Sequence, residues 1–151
     1  MEINKIYLSG DHAGFKLKKS LKNFFDNLKI PYEDFGPHKY NTRDDYPDFV
    51  IPMAKKVARE KNSIGIIIAG SGQGEAMAVN KIKKIRAALY YGGSIRFLKY
   101  SREHNDANVL CLGARFLNKK HAEQAIRIWM KTGFNGGRHK RRLQKIARRI
   151  K

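Results

Sequence analysis

The chain is short of several things. A single cysteine, Cys111, among 151 residues rules out a disulfide framework and fits a reducing compartment. No apolar run is long enough to cross a bilayer. Residues 1–11 have neither the basic start nor the long apolar core of a secretion signal, so the expected location is the cytoplasm, away from membranes. No Cys/His spacing suits zinc, so no metal is expected. Acids are scarce: 13 Asp+Glu against 32 Lys+Arg give a formal net charge of +19. A field of that sign favours anionic partners and speeds their arrival, but it does not distinguish a sugar phosphate from a nucleic acid. Apolar residues, at 42%, are also below the usual share, yet they are clustered, which argues for a core. One domain over residues 1–151 is expected, with neither repeat nor linker.

The clusters alternate between two periods. Residues 5–9 read as a strand ending in Gly10-Asp11-His12-Ala13-Gly14. Residues 15–28 place Leu17, Leu21, Phe24, Phe25 and Leu28 at helical spacing. Residues 32–35 form a short strand between Pro31 and Gly36-Pro37, followed by a polar loop over 38–44. Asp45-Tyr46-Pro47-Asp48 reads as a helix start with Asp45 as cap, leading to about residue 61 and burying Phe49, Met53 and Val57. A buried strand over 64–68 breaks into Gly70, Gly72 and Gly74 before a helix running to 81. A fourth strand, 86–90, leads to a helix begun by Ser94 that carries Phe97 and Leu98; residues 102–106 read as a polar loop. A fifth strand, 108–112, ends at Gly113-Ala114-Arg115. Asn118 caps a helix to 131 with Ala122, Ala125, Ile126 and Trp129 on one stripe. After a break at 133–137, residues 138–151 form a basic amphipathic helix with Leu143, Ile146 and Ile150 on one side. Five strands alternating with helices predict an α/β fold, a doubly wound parallel sheet with helices on both faces.

Polar clusters sit where strands end. Asp11-His12 follows the first strand, the glycine loop and Glu75 follow the third, and His104-Asn105 with Arg115 flank the fifth. If these ends share one edge of a parallel sheet, the clusters converge where such sheets bind ligands. Glycines opening a helix free backbone N–H groups for an anion. A carboxylate beside such donors, Glu75, suits abstraction of a proton α to a carbonyl, because the enolate charge has somewhere to go. Each feature also has a plain reading: the loop as a tight turn, Glu75 as a partner of the helix dipole, His12 and His104 as polar loop residues. The loop is not the dinucleotide fingerprint, since its spacing and its place after the third strand are wrong. Cys111, between Leu110 and Leu112, reads as a core thiol. Arg138 and Arg142 share a helix face, as a phosphate clamp or as part of a solvated or RNA-attracted tail.

Further segments appear in order: Asn80-Lys81, Arg86-Ala87-Ala88, Arg102-Glu103-His104-Asn105-Asp106-Ala107-Asn108-Val109-Leu110, Leu112-Gly113-Ala114-Arg115 and Gly136-Gly137-Arg138-His139. Together with Asp11-His12-Ala13-Gly14, Asp45-Tyr46-Pro47-Asp48 and Gly70-Ser71-Gly72-Gln73-Gly74, the chain resembles the type B ribose-5-phosphate isomerases, a family that includes the galactose-6-phosphate isomerase subunits. The resemblance implies a Rossmann-like fold and cofactor-free, metal-free interconversion of ribose 5-phosphate and ribulose 5-phosphate through a cis-enediolate. It implies a homodimer or dimer of dimers with sites shared between subunits. Asp11, His12 and Asn105 would contact substrate, and Gly70, Ser71, Gly72, Gln73 and Gly74 would form the anion hole. His104 would open the sugar ring, while Arg115, Arg138 and Arg142 would meet phosphate and substrate. Many members carry a cysteine base immediately before the loop, where this chain has Ala69. A second branch uses a glutamate just after it, which is Glu75 here. The helix dipole would weaken that base, and desolvation by bound substrate would oppose that. The competing readings are a hexose 6-phosphate (galactose or allose) as substrate, and a nucleic-acid-binding protein on an inactive scaffold, bound only through non-specific charge.

Overall fold

The computed structural model describes residues 3–149, so the expected roles of Ile150 and Lys151 in the last helix lie outside the described residues. Five parallel strands form one sheet in the order β2-β1-β3-β5-β4: β1 Lys5–Gly10, β2 Tyr32–Asp34, β3 Ser63–Ala69, β4 Ala87–Tyr90 and β5 Val109–Gly113. Six helices alternate with or follow them: α1 Phe15–Asn27, α2 Pro47–Arg59, α3 Gln73–Asn80, α4 Arg96–Glu103, α5 Lys119–Lys131 and α6 Gly137–Arg149. The doubly wound α/β architecture expected from the alternation is present.

The central strand is apolar on both faces because both faces are covered. Ile64, Ile66 and Ile68 join Ile6, Leu8, Leu110 and Leu112 under α1, α4 and α5, whose Phe25, Leu98, Ala125, Ile126 and Trp129 are buried. Ile67 and Ala69 face the other way with Tyr7, Val109 and Cys111, under Val50, Met53, Ala54 and Val57 of α2 and Val79 of α3. The stripe expected on α5 is fully buried, and Asn118 caps that helix by accepting the His121 N–H at 2.9 Å.

Several local expectations are corrected. Asp45 does not cap α2 with its side chain: Tyr46 is the N-cap, and the Asp45 carbonyl accepts the Asp48 N–H at 3.1 Å. Proline at N1 already fixes the entry angle, so no side-chain cap is needed. The buried stripe runs through Val50, Met53, Ala54 and Val57, so Met53 and Val57 are buried as expected, while Phe49 at its edge is only half-buried. Arg102 and Glu103, expected in a loop, close α4, and Phe97 is 64% exposed. α6 forms as expected but buries no residue: Leu143 is half-buried and Ile146 is 55% exposed.

The chain runs from β1 out to β2 and then returns across β1 to β3, so the sheet reverses winding between β1 and β3. Ligands of open α/β sheets settle at such a reversal, outside the carboxyl ends of the strands. The β1–α1 turn is pressed against β3 there: a Cβ on Gly14 would lie 1.8 Å from the Ile68 carbonyl oxygen, so no other residue fits.

Candidate active site

At that reversal the ends of β1, β3 and β5 meet. The Asp11 N–H reaches the Ile68 carbonyl (3.4 Å), and Asp11 Oδ1 accepts the Gly14 N–H at 3.0 Å, which holds the carboxylate at the turn. His12 follows, with Nδ1 2.5 Å from Asp44 Oδ1. The loop after β3 turns sharply at Gly72 (φ +77°), the left-handed N-cap of α3. The Ser71 hydroxyl accepts the Gln73 N–H at 3.3 Å. The N–H groups of Ser71, Gly72 and Gly74 donate to no acceptor among the described residues. They stand at the positive end of a helix, which is an anion-binding arrangement. β5 closes the other side: the Ala114 and Arg115 N–H groups donate to the Ala69 and Gly70 carbonyls at 2.7 and 3.1 Å. The Arg115 guanidinium lies over Gly70, where a Cβ would come within 3.3 Å of its central carbon. The Tyr46 hydroxyl rests against Gly74, 2.7 Å from where a Cβ there would sit.

Glu75 lies in the first turn of α3 and is 4% exposed. Burial raises its carboxyl above the ordinary carboxylate range; its own backbone N–H opposes this, and the neighbouring charge of Asp11 adds to the rise. Cys111, fully buried behind Glu75, has its thiol pushed far up by burial and then by the Glu75 charge. It is a core thiol, as expected.

His104 and Asn105 do not join this group, contrary to the expectation that all the clusters share one edge. They precede β5 rather than follow it, and in a parallel sheet that places them at the amino edge. Arg86, just before β4, fixes them there: its Nε donates to the Asn105 and Asp106 carbonyls at 3.0 and 2.8 Å, and its carbonyl accepts the Asn108 N–H at 3.0 Å. The five residues of β5 separate the two edges by about 16 Å. A second constellation forms at the amino edge. The His104 ring stacks on Tyr100 (centroids 4.9 Å apart, 12° between planes) and on His139 at the start of α6 (4.3 Å, 5°). Burial lowers the His139 pKa, and the nearby charges of His104, Arg138 and Arg142 lower it further. Arg138 and Arg142 thus stand with His104 and not with Glu75.

Sequence reasoning gives Asp44 no role, and names Tyr46 and Arg102 only as members of the resembling segments, with no role of their own. Asp44 and Tyr46 flank Asp45, where the capping pattern draws attention to the helix start and not to its neighbours. Arg102 is 2% exposed, donating from Nε to the Thr132 carbonyl (3.2 Å) and from Nη1 to the Ala107 carbonyl, with the Trp129 ring 5.2 Å from its guanidinium carbon. Among the described residues no cluster of three or more His, Cys, Asp or Glu could hold a metal, and no helix is long and apolar enough to cross a membrane.

Residues 6–146 match the family model described as Ribose/Galactose Isomerase. The chain is 38% identical over 143 residues to a putative sugar phosphate isomerase of Bacillus subtilis, covering 95% of each chain. It is 38% identical over 144 residues to a probable ribose-5-phosphate isomerase B of Mycoplasma genitalium, covering 95% of this chain and 93% of that one. Among solved structures, ribose-5-phosphate isomerase B from Mycoplasma genitalium with bound ribulose-5-phosphate superposes with a TM-score of 0.91 at 37% identity, covering 99% and 97% of the two chains. The Anaplasma phagocytophilum ribose 5-phosphate isomerase B gives 0.89 at 40% identity, covering 97% and 98%.

Proposed function

The chain belongs to the ribose/galactose isomerase family, and we propose that it interconverts D-ribose 5-phosphate and D-ribulose 5-phosphate with Glu75 as the base. The observation that carries this reading is the buried Glu75 carboxylate beside the glycine loop, at the point where the sheet reverses winding. The opened sugar lies with C1 and C2 over the loop. Ionised Glu75 takes the proton from C2; the electron pair forms the C1–C2 double bond of a cis-enediolate and the carbonyl oxygen becomes the oxyanion. The unpaired N–H groups of the loop hold that charge. The C2 hydroxyl proton passes to O1, so that the charge moves to O2; as O2 re-forms a carbonyl at C2, the C1–C2 electron pair takes the proton back from Glu75 at C1, leaving the ketose. The raised pKa of Glu75 serves both steps, since a base that is too weak abstracts slowly and one that is too strong does not give the proton back. Asp11, His12 and Ser71 bind sugar hydroxyls, with Gly70 and Gln73 completing the loop. No step calls for a metal or a cofactor.

The two edges of the sheet make a second subunit part of this reading. Within one chain His104, Asn105, Arg138 and Arg142 stand a strand's length from Glu75. A two-fold pair that sets the amino edge of one protomer against the carboxyl edge of its partner gives each site both halves. Glu75, Asp11, His12 and Arg115 then come from one subunit, and the ring-opening acid His104, Asn105 and the arginine pair come from the other. The arginines fix the phosphate, and its binding energy positions the reacting carbons. The exposed apolar residues of α6 and of the carboxyl edge, Ile146, Tyr91 and Phe116, suit a covered surface. A cytoplasmic location agrees with the single buried thiol.

The test is turnover by the purified chain of ribose 5-phosphate beside galactose 6-phosphate and allose 6-phosphate. Preference for the pentose is expected, and preference for a hexose refutes the substrate assignment.

A further inference from the structure

The loop between β2 and α2, residues 35–46, has no place in the chemistry above, yet it reaches over the site and grips one residue there. Its Asp44 carboxylate stands 2.5 Å from His12 Nδ1, and its Tyr40 ring meets the His12 ring edge-on at 6.5 Å. Tyr40 is braced in turn by Phe15 at 6.0 Å. The Asp44 side chain is only 3% exposed, while that of His12 is 29% exposed. Asp44 Oδ2 is buried and has no hydrogen-bond partner among the described residues, so His12 is the one side chain this carboxylate serves.

A carboxylate withdrawn from water with half its acceptors unused is a poor device for stability, because desolvation outweighs what a single contact returns. It is a good device for orientation. A carboxylate only accepts hydrogen bonds, so the proton between the pair must sit on Nδ1. That fixes the tautomer and the ring plane and leaves Nε2 as the atom offered to the outside. His12 is adjacent in the chain to Asp11, whose charge neighbours Glu75, which sets the His12 backbone beside the same site.

We infer that Asp44 is a positioning residue for His12, fixing the Nδ1–H tautomer so that Nε2 meets the sugar phosphate. The inference rests on the isomerase reading and adds to it a residue of the β2–α2 loop that touches no substrate. Two consequences follow. The loop's conformation enters catalysis through one side chain, and Asp44 has no effect on the reaction once His12 is gone.

The experiment is a double-mutant cycle on ribose 5-phosphate with Asp44→Leu, His12→Leu and both together, with Asp44→Asn as a milder companion. Leucine keeps the shape of the buried carboxylate without its oxygens, and thermal melts show whether each variant folds. Asp44→Leu is expected to lower kcat/KM by about 10- to 100-fold, the scale seen when a metal-bound histidine loses its orienting carboxylate. The double variant is expected to match His12→Leu alone. Additive losses, or an Asp44→Leu enzyme as active as the parent, overturn the inference. A second readout needs no turnover: ¹⁵N NMR of the His12 ring is expected to show protonated Nδ1 in the parent and mixed tautomers in Asp44→Leu. Identical spectra overturn the inference even if Asp44→Leu folds poorly enough to blur the kinetics. Failure of the isomerase reading itself looks different, because the unmutated chain then turns over no pentose phosphate while its His12 spectrum still reports on Asp44.

Discussion

At position 75 one carboxylate carries the proposed proton transfer, and its surroundings dictate how it titrates. Burial, reinforced by Asp11, places its pKa above the ordinary carboxylate range. The base works only when ionised, so kcat/KM is expected to fall on the acid side at a pH higher than a free glutamate would set. Glu75→Gln is expected to lose about 10²- to 10⁴-fold in turnover with sugar-phosphate binding retained; residual turnover with an unchanged pH profile counts against the role. The same shift has a sign for stability. A carboxyl whose folded pKa is raised binds its proton more tightly in the fold, so its contribution is present at low pH and is lost as pH rises from the unfolded value through the folded one. Denaturant melts should therefore show Glu75→Gln no less stable than the parent at neutral pH, where the parent must hold a buried charge. Cys111 should resist thiol reagents until the protein unfolds, since burial keeps the thiol protonated. Glu75 can be picked from the sequence because it follows a glycine loop. Its pairing with Asp11 cannot, because that depends on β1 lying beside β3 with Gly10 opposite Ile68.

Elements are legible wherever period and punctuation agree. β3 and α5 can be read closely because an isoleucine run and a capped apolar stripe leave one reading each. The errors fall where a charged side chain turns inward or a backbone group does a side chain's work. Asp45 has the right chemistry for a cap, but Pro47 already sets the turn. Arg102 looks like loop material because nothing in the sequence shows that its guanidinium lies against Trp129 and ties Ala107 to Thr132. Those two carbonyls belong to the turn that carries His104 and to the end of α5, which leads to His139. Arg102→Ala is therefore expected to destabilise the fold by about 3 kcal/mol, since it leaves buried carbonyls without donors. It should also weaken phosphate binding through the displaced His104–His139 stack. Paired denaturant melts and KM measurements check both effects, and a fully stable variant would contradict the structural role.

For the molecule as a whole, the sequence points to candidate residues but not to their arrangement. Asp11, His12, the glycine loop, Glu75 and Arg115 gather at the carboxyl edge, while His104, Asn105, Arg138 and Arg142 gather at the amino edge. A motif scan reads order along the chain, and order does not say whether a residue comes before or after the strand it adjoins. On the proposed reading, that distinction leaves a single chain with half of each site and calls for a two-fold partner. The most direct test mixes two inactive variants, Glu75→Gln and His104→Asn, by unfolding and refolding them together. If each site draws Glu75 from one subunit and His104 from the other, mixed pairs hold one intact site and the mixture should regain about a quarter of the parent turnover. A mixture no more active than its two components would contradict the shared site, and with it the proposal that two copies of this chain together isomerise a sugar phosphate.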